Sequence, residues 1–344
     1  MSNSSSHLRK RVLSGMRPTG KLHLGNYMGA LFNWVRLQRD YECYFFIADW
    51  HALTTDYGDT SQVRENTRQV ILDFLGAGLD PEQSIMFVQS DVKQHAELFL
   101  LFTMITPLGW LERVPTYKEQ QENITGKDLS TYGFLGYPLL QAADILIYQA
   151  DFVPVGQDQV AHVELTREIA RRFNQFYPKP GASSDQDAVL PEPQVLLTPS
   201  PKLPGTDGRK MSKSYGNTIL LTDPEPVIRQ KLKPMVTDPA RVRRTDPGNP
   251  EVCPVFDLHK VFSSAETQQK AREGCTTASI GCIECKGWVA DAVVAELAPI
   301  QQRRSKYESN PALVTDILQE GKRRAAARAE QTMHEVRAAV GLGG

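Results

Sequence analysis

Short apolar runs separated by longer stretches of helical spacing set the pattern of this chain. The runs at residues 12–15, 43–49, 85–89 and 152–155 read as strands, with helical periodicity between them. Strand and helix in alternation predict a parallel sheet wound with helices on both faces, a doubly wound α/β architecture. Residues 219–222 read as the last strand, and residues 183–201, with their prolines and serines, as a connection. Beyond Pro224 the pattern is helical: 287–304, 311–322 and 325–340 carry few breakers, as expected of a small bundle. The expected organisation is a disordered tail over 1–8, a Rossmann-type α/β domain over 9–223 and an all-α domain over 224–344.

With 344 residues, 41% of them hydrophobic, the chain is long enough for both domains and for a substantial α/β core. Its richest apolar stretch, 96–105, is too short to span a bilayer, so no membrane association is expected. Residues 1–7 are serine-rich without an apolar core, which points to a cytoplasmic rather than a secreted protein. A formal net charge of −1 gives no general argument for nucleic-acid binding. Basic groups do gather locally: Arg241, Arg243 and Arg244, then Arg303, Arg304 and Lys306, then Lys322, Arg323, Arg324 and Arg328. They read either as solvated helix faces or as a phosphate-contacting face.

Two stretches carry phosphate chemistry. In the first, the strand around Val12 breaks at Pro18 and Gly20, and a helical pattern starts near Gly25. Such a turn presents backbone N–H groups and the positive end of a helix to an anion, and Gly25 permits close approach. His23 and Asn26 are placed to donate to phosphate oxygens. The second stretch is Lys210, Met211, Ser212, Lys213 and Ser214, in a polar loop between Pro204 and Asn217. Two lysines around a serine offer movable positive charge and hydroxyl donors, which suits a departing pyrophosphate. Taken singly, the first is equally an ordinary strand-to-helix connection and the second a solvated lysine loop.

As a pair and in this order, His23, Leu24, Gly25 and Asn26 with Lys210 to Ser214 resemble the two signatures of class I aminoacyl-tRNA synthetases. The intervening Tyr137-Pro138-Leu139-Leu140-Gln141-Ala142-Ala143-Asp144 and Val153-Pro154-Val155-Gly156-Gln157-Asp158-Gln159 resemble the amino-acid-binding half of tryptophanyl-tRNA synthetases. That resemblance runs almost end to end. It implies a catalytic first domain, a C-terminal domain that receives the tRNA(Trp) anticodon, and a homodimer.

The resemblance also implies roles. His23, Asn26, Lys210, Lys213 and Ser214 would act on the phosphates. ATP would further meet Arg17, Pro18, Thr19, Gly20, Gly25, Met211 and Ser212, and its ribose would meet Gly156, Gln157 and Asp158. Tyr137 and Gln159 would hold the substrate ammonium, His51 and Gln141 would line the pocket, and Leu13, Val153 and Val155 would pack on the indole ring. Asp144 is the only ionisable residue on an apolar helix of Ala142, Ala143, Ile145, Leu146 and Ile147. Locally, it reads as an acceptor for a backbone amide or an arginine; the resemblance makes it the acceptor for the indole N–H, a donor-only group. Gln141 stands where Met is usual in the bacterial family and Arg17 where Gln is usual.

Of the five cysteines, Cys43 lies in an apolar run and reads as a buried small hydrophobe. Cys253, Cys275, Cys282 and Cys285, spaced C-x21-C-x6-C-x2-C, fit a metal site holding zinc or an iron–sulfur cluster; disulfides are the alternative, disfavoured because nothing marks the chain as secreted. The spacing resembles a subset of tryptophanyl-tRNA synthetases that carries a 4Fe-4S cluster, which favours the cluster over Zn2+.

The implied reaction joins tryptophan to ATP, with Mg2+ shielding the triphosphate, and passes the tryptophanyl group to tRNA. Three rival readings stay open on the sequence. One is a tyrosyl-tRNA synthetase, which shares both signatures. Another is an iron–sulfur nucleic-acid-binding protein, since C-x6-C-x2-C also occurs in base-excision DNA glycosylases; it is disfavoured, and no DNA partner expected, because no cysteine follows Cys285 and the fourth lies upstream at Cys253. The third is a synthetase-like paralogue serving only as a binding subunit.

Overall fold

The computed structural model describes residues 9–114, 117, 128–179, 188–198 and 203–343, with only the backbone of Asp158. The tail over 1–8 lies outside them. β1 (Arg11–Met16) leads into a helix, α1, that begins as Leu24–Asn26, passes through a π-helical turn over Tyr27–Leu31 and ends as Phe32–Leu37. Then come β2 (Glu42–Ile47), α2 (Asp49–Asp56), α3 (Val63–Ala77), β3 (Ser84–Val88), α4 (Gln94–Ile105) and α5 (Leu108–Glu112). α6 (Tyr132–Leu135), α7 (Tyr137–Ile147), β4 (Phe152–Val155), α8 (Val160–Phe176) and β5 (Gln194–Leu197) complete the first part. The rest is helical: α9 (Glu225–Leu232), α10 (Pro254–Phe262), α11 (Ala265–Thr276), α12 (Cys282–Glu308) and α13 (Pro311–Ala339).

The strands form one parallel sheet in the order β3-β2-β1-β4-β5, the doubly wound architecture that the alternating pattern predicts. Alternation along β2 explains its two-sided core. Cys43, Phe45 and Ile47 enter one apolar cluster, with Trp34 and Leu31 of α1, Phe74 of α3 and Leu297 of α12. Tyr44 and Phe46 enter the other, with Leu98 of α4, Ile145 of α7, Phe173 of α8 and Met333 of α13. Cys43 is the buried hydrophobe its neighbours predict, its thiol pushed up to about 12 by burial. On the first face Trp34 stacks on Phe45 at 4.7 Å and meets the edge of Phe74 at 5.3 Å, geometries worth about 1 kcal/mol each beyond burial.

Two elements differ from the sequence expectation. The last strand is Gln194–Leu197, inside the segment read as a connection, whereas residues 219–222 make only an antiparallel bridge to the α1 turn. Leu24 N donates to Ile219 O at 3.0 Å and Leu221 N to Leu22 O at 2.9 Å. β5 sits at the sheet edge, with both ends exposed and neither inner residue buried, so it lacks the apolar run that marks a central strand. Likewise 311–322 and 325–340 are one helix, α13. Gly321, Ala325, Ala329, Thr332, Met333 and Val336 form its buried stripe, and the basic run at 322–324 lies to its side.

The helices beyond residue 224 pack on the sheet layers rather than standing apart. α12 lies along α3, and α13 crosses β3 at Gly321, where an added Cβ would fall 1.7 Å from Met86 O. A backbone oxygen in the sheet has nowhere to yield. Gly321→Ala is therefore expected to lower stability by about 3 kcal/mol, the upper range for overpacking, in a denaturant titration. Gly287→Ala, in open space on α12, should be neutral or stabilising by up to about 1 kcal/mol. Equal midpoints for the two variants would refute the close-approach account.

Candidate active site

β1 and β4 are neighbours whose following helices go to opposite faces of the sheet, and the paired register between them is only Val12 with Phe152. Pro154, lacking an N–H, cannot extend that ladder. The strands therefore part toward their C-terminal ends and leave a cavity of about 390 Å³. Leu13, Ser14 and Gly15 of β1, Val153, Pro154 and Val155 of β4 and the Gly156 that follows line one side of it. His51, Tyr137, Gln141, Asp144, Gln159 and Arg17 line the rest. All eight residues expected around the amino acid thus meet in one crevice, at the place where open parallel sheets bind ligands.

The turn after β1 is built by local capping. His23 caps α1: Asn26 N donates to His23 Nδ1 at 3.3 Å, and His23 N donates to Asn26 Oδ1 at 3.1 Å. Burial, and then the nearby Lys213 cation, push the His23 imidazole down to about 4. The ring is thus neutral at physiological pH, and because Nδ1 accepts, its proton sits on Nε2 as a donor. Gly20 has φ +105°, which only glycine adopts without strain. Pro18 is buried, Thr19 is exposed, and Arg17 donates through Nη2 to Thr55 Oγ1.

Lys213 closes the two signatures on each other. Its Nζ donates to Gly20 O at 2.9 Å and Thr19 O at 3.1 Å, although the positions are 193 and 194 apart in sequence. Burial pushes this ammonium down to about 8, with Asp73 pulling the other way. Ser212 and Ser214 share a hydroxyl contact of 2.9 Å, and Lys210 is exposed. Met211 turns into the core and gives its N–H to Leu203 O at 3.1 Å, so its side chain anchors the loop from beneath. Asn217, which carries no signal of its own in the sequence, holds the loop together. Its buried amide accepts from Ser212 N at 2.8 Å and donates to Asp207 Oδ1 at 2.7 Å and Lys210 O at 3.2 Å. Gly205 leaves room for it, since a Cβ there would lie 2.2 Å from Asn217 Nδ2.

Asp144, 1% exposed, is satisfied by neither an arginine nor a backbone amide. Oδ1 accepts from Gln89 Nε2 at 2.7 Å and His95 Nδ1 at 2.6 Å, and Oδ2 accepts from His51 Nε2 at 2.7 Å. His95 Nε2 in turn lies 2.7 Å from Tyr148 OH. Burial pushes the carboxyl up, but the hydrogen bonds from His51 and His95 outweigh it and hold Asp144 below the usual carboxylate range. An ionised carboxylate has about four acceptor positions, and three are used here. The free one is on Oδ2, the oxygen shared with cavity-lining His51. Gln89, His95 and Tyr148 were not legible as site residues, because nothing in their own segments marks them.

Gln157 is exposed at the rim, and the side chain of Asp158 lies outside the described residues. The four cysteines converge at the start of α12: Cys282 and Cys285 in its first turns, Cys275 at the end of α11, and Cys253 capping α10. Burial, then Cys253, Cys275 and Cys282, push the Cys285 thiol up to about 12. Cys285 Sγ lies 3.3 Å from His259 Nε2, and Arg241 Nη1 donates to Cys275 Sγ at 3.7 Å. An added Cβ on Gly248 would lie 2.6 Å from Cys275 Sγ. Among the described residues, however, no three His, Cys, Asp or Glu side chains are arranged to hold one metal ion. Neither the zinc nor the cluster reading is shown by this arrangement.

The model for class I tRNA synthetases (W and Y) matches residues 5–298. The tryptophan–tRNA ligase of Thermotoga maritima is 57% identical over 334 residues, covering 96% of this chain and 99% of the relative. That of Ralstonia nicotianae is 49% identical over 394 aligned positions, covering 97% and 98%. The Campylobacter jejuni tryptophanyl-tRNA synthetase, solved with ADP and tryptophan, superposes with a TM-score of 0.85 at 32% identity over 96% of this chain and 100% of that one. By sequence and by fold, this chain belongs to the class I tRNA synthetases, in the tryptophanyl-tRNA synthetase family.

Proposed function

We infer that this chain activates L-tryptophan with ATP and transfers the tryptophanyl group to tRNA(Trp), as a cytoplasmic enzyme of translation. The observation that carries the reading is Asp144: a buried, ionised acceptor with one lone pair free, set in a cavity that adjoins a phosphate-binding turn. In this reading the indole N–H donates to Asp144 Oδ2, and Leu13, Val153 and Val155 pack on the ring. Tyr137 and Gln159 hold the ammonium. The substrate carboxylate, already a nucleophile, attacks the α-phosphorus of ATP; the bond to the β-phosphate bridging oxygen breaks and pyrophosphate leaves. No protein base is needed, so catalysis is positioning and charge stabilisation. His23 Nε2, Asn26 and Arg17 steady the phosphates, Mg2+ shields them, and Lys210, Lys213 and Ser214 follow the pyrophosphate. Gly156, Gln157 and Asp158 face the ribose.

Ammonium Lys213 is required in this scheme. Its value of about 8 means that the cation is present below that pH and is lost above it. The expected profile of kcat/KM for ATP turns downward near pH 8, and Lys213→Arg moves the break upward. Lys213→Ala should lower exchange activity by at least about a hundredfold while tryptophan affinity, read by fluorescence titration, stays put. A break still at the same pH in Lys213→Arg assigns it to another group.

Discrimination rests on the unpaired acceptor. Phenylalanine has no N–H for Oδ2, so tryptophan should be preferred by about ten-thousandfold in pyrophosphate exchange. Asp144→Ala should abolish tryptophan-dependent exchange. Undiminished exchange in that variant would remove the assignment.

We further propose that Cys253, Cys275, Cys282 and Cys285 hold a 4Fe-4S cluster, supported by their spacing and convergence. When bound, it would supply a covalent brace among α10, α11 and α12 beside Arg241, Arg243 and Arg244, the face offered to the anticodon. A homodimer is supported by the exposed Leu100, Met104, Leu108 and Phe176 on α4, α5 and α8, with Trp110 between them under Arg172. Anaerobic purification should yield about four irons and four sulfides per chain and a broad visible absorbance that Cys282→Ser removes. Stoichiometric zinc without sulfide sinks the cluster. The same sample should sediment at twice the mass of one chain; a single-chain mass removes the dimer.

A further inference from the structure

α12 reaches the nucleotide elements at three points through side chains that the reaction itself leaves unused. Tyr27 OH, in the π-helical turn of α1, donates to Glu296 Oε1 at 2.7 Å. Gln301 Nε2 donates to Leu221 O and Asp223 O, each at 2.9 Å. That segment comes after the Lys210 to Ser214 loop and pairs with Leu22 and Leu24 across the turn. Arg304 Nε donates to Asp73 Oδ1 at 2.8 Å, and the other oxygen of Asp73 accepts from Leu22 N at 2.8 Å, one residue before His23.

The Arg304–Asp73 pair is buried, at 5% and 0% exposure. Its geometry is over-determined. Arg304 also donates through Nη2 to Gln69 Oε1 and through Nη1 to Glu308 Oε2 at 2.8 Å, so the fork is fixed in all directions. Asp73 thereby faces one way, toward the Leu22 amide, and its charge lies within reach of Lys213. A brace meant only to hold α12 against α3 would be served by the apolar cluster that already joins them. Arg303 Nε, on Gly76 O at 2.8 Å, is a polar contact of that bracing kind, whereas Asp73 beyond Arg304, and Gln301 directly, end on backbone groups of two other segments, one leading into His23 and the other lying downstream of Lys213.

We propose that Arg304 and Gln301 are positioning residues for tryptophan activation. Arg304, acting through Asp73, fixes the Leu22 N–H, and Gln301 fixes the facing segment at Leu221 and Asp223. Together they set the orientation in which the turn meets the ATP phosphates. The inference rests on the reading of that turn as the phosphate site. α12 thus reports to the active site from the helical part of the molecule.

The test is tryptophan-dependent ATP–pyrophosphate exchange in the full-length protein, well below its unfolding midpoint. Arg304→Lys keeps the charge and loses the fork; Gln301→Ala loses two hydrogen bonds and strands no charge. Each variant is expected to raise KM for ATP and lower kcat, with a combined loss on the order of tenfold, while the Kd for tryptophan is unchanged. A brace with no role in positioning would lower the melting temperature and leave both kinetic constants of the folded protein alone, and that result overturns the proposal. If Arg304→Lys does not fold, Gln301→Ala decides alone. An absence of exchange in the parent would overturn the phosphate-site reading, and the inference with it.

Discussion

The parting of β1 and β4 is the constraint on which the site depends. In a sheet ordered β3-β2-β1-β4-β5, the chain leaves β1 for one face and β4 for the other, so a crevice opens between their C-terminal ends. Pairing between the two strands stops after Val12 and Phe152. β1 runs on into a capped turn presenting neutral His23, and β4 runs on into the Gly156 to Gln159 segment. Both face the same gap because the topology leaves them nowhere else to face.

Two buried carboxylates then do unlike work by the same physics. A carboxylate without water must be given donors, or it takes up a proton. Asp144 receives three from Gln89, His51 and His95, enough to remain ionised while one acceptor position stays free beside the cavity. Asp73 receives only the Leu22 amide and Arg304 Nε, burial pushes its carboxyl above the usual carboxylate range in spite of them, and its geometry is spent on holding the turn. In each case the donors are held by a second layer: Tyr148 behind His95, and Gln69 and Glu308 behind Arg304. A half-satisfied network at this depth would be worse than none.

α12 connects these parts. Its first turns carry Cys282 and Cys285, and its last turns carry Gln301 and Arg304, about 30 Å away at the rise of an α-helix. Whatever the four thiols hold would brace one end of the element whose other end touches the nucleotide turn. The helical part, expected from its helical spacing as a separate unit, shares an apolar cluster with the sheet. Gly321 against Met86 shows how close the approach is on the other side of the molecule, at β3.

Local pattern made much of this legible. Four of the five strands stand out because central strands are continuous apolar runs, and the α1 turn stands out because proline, glycine and a capping pair have few other uses together. Asp144 is conspicuous as a lone charge on an apolar helix, and the cysteines by their spacing. Edge strand β5 escaped because half-exposed strands carry no such run, and α13 was cut in two because a basic run on a helix flank looks like a break. The sequence by itself determined which groups are available: a capped glycine turn, a lysine loop, a lone carboxylate on an apolar helix and four thiols. Which lone pair of Asp144 stays free, that Asn217 staples the loop, and that Arg304 reaches the turn through Asp73 were decided only by the tertiary structure. Those partners lie 49 to 93 residues from Asp144 and 231 residues apart in the Arg304–Asp73 pair. Hydrogen bonds between such distant positions have no local signature, because they form only once the sheet and its helices have brought the chain together.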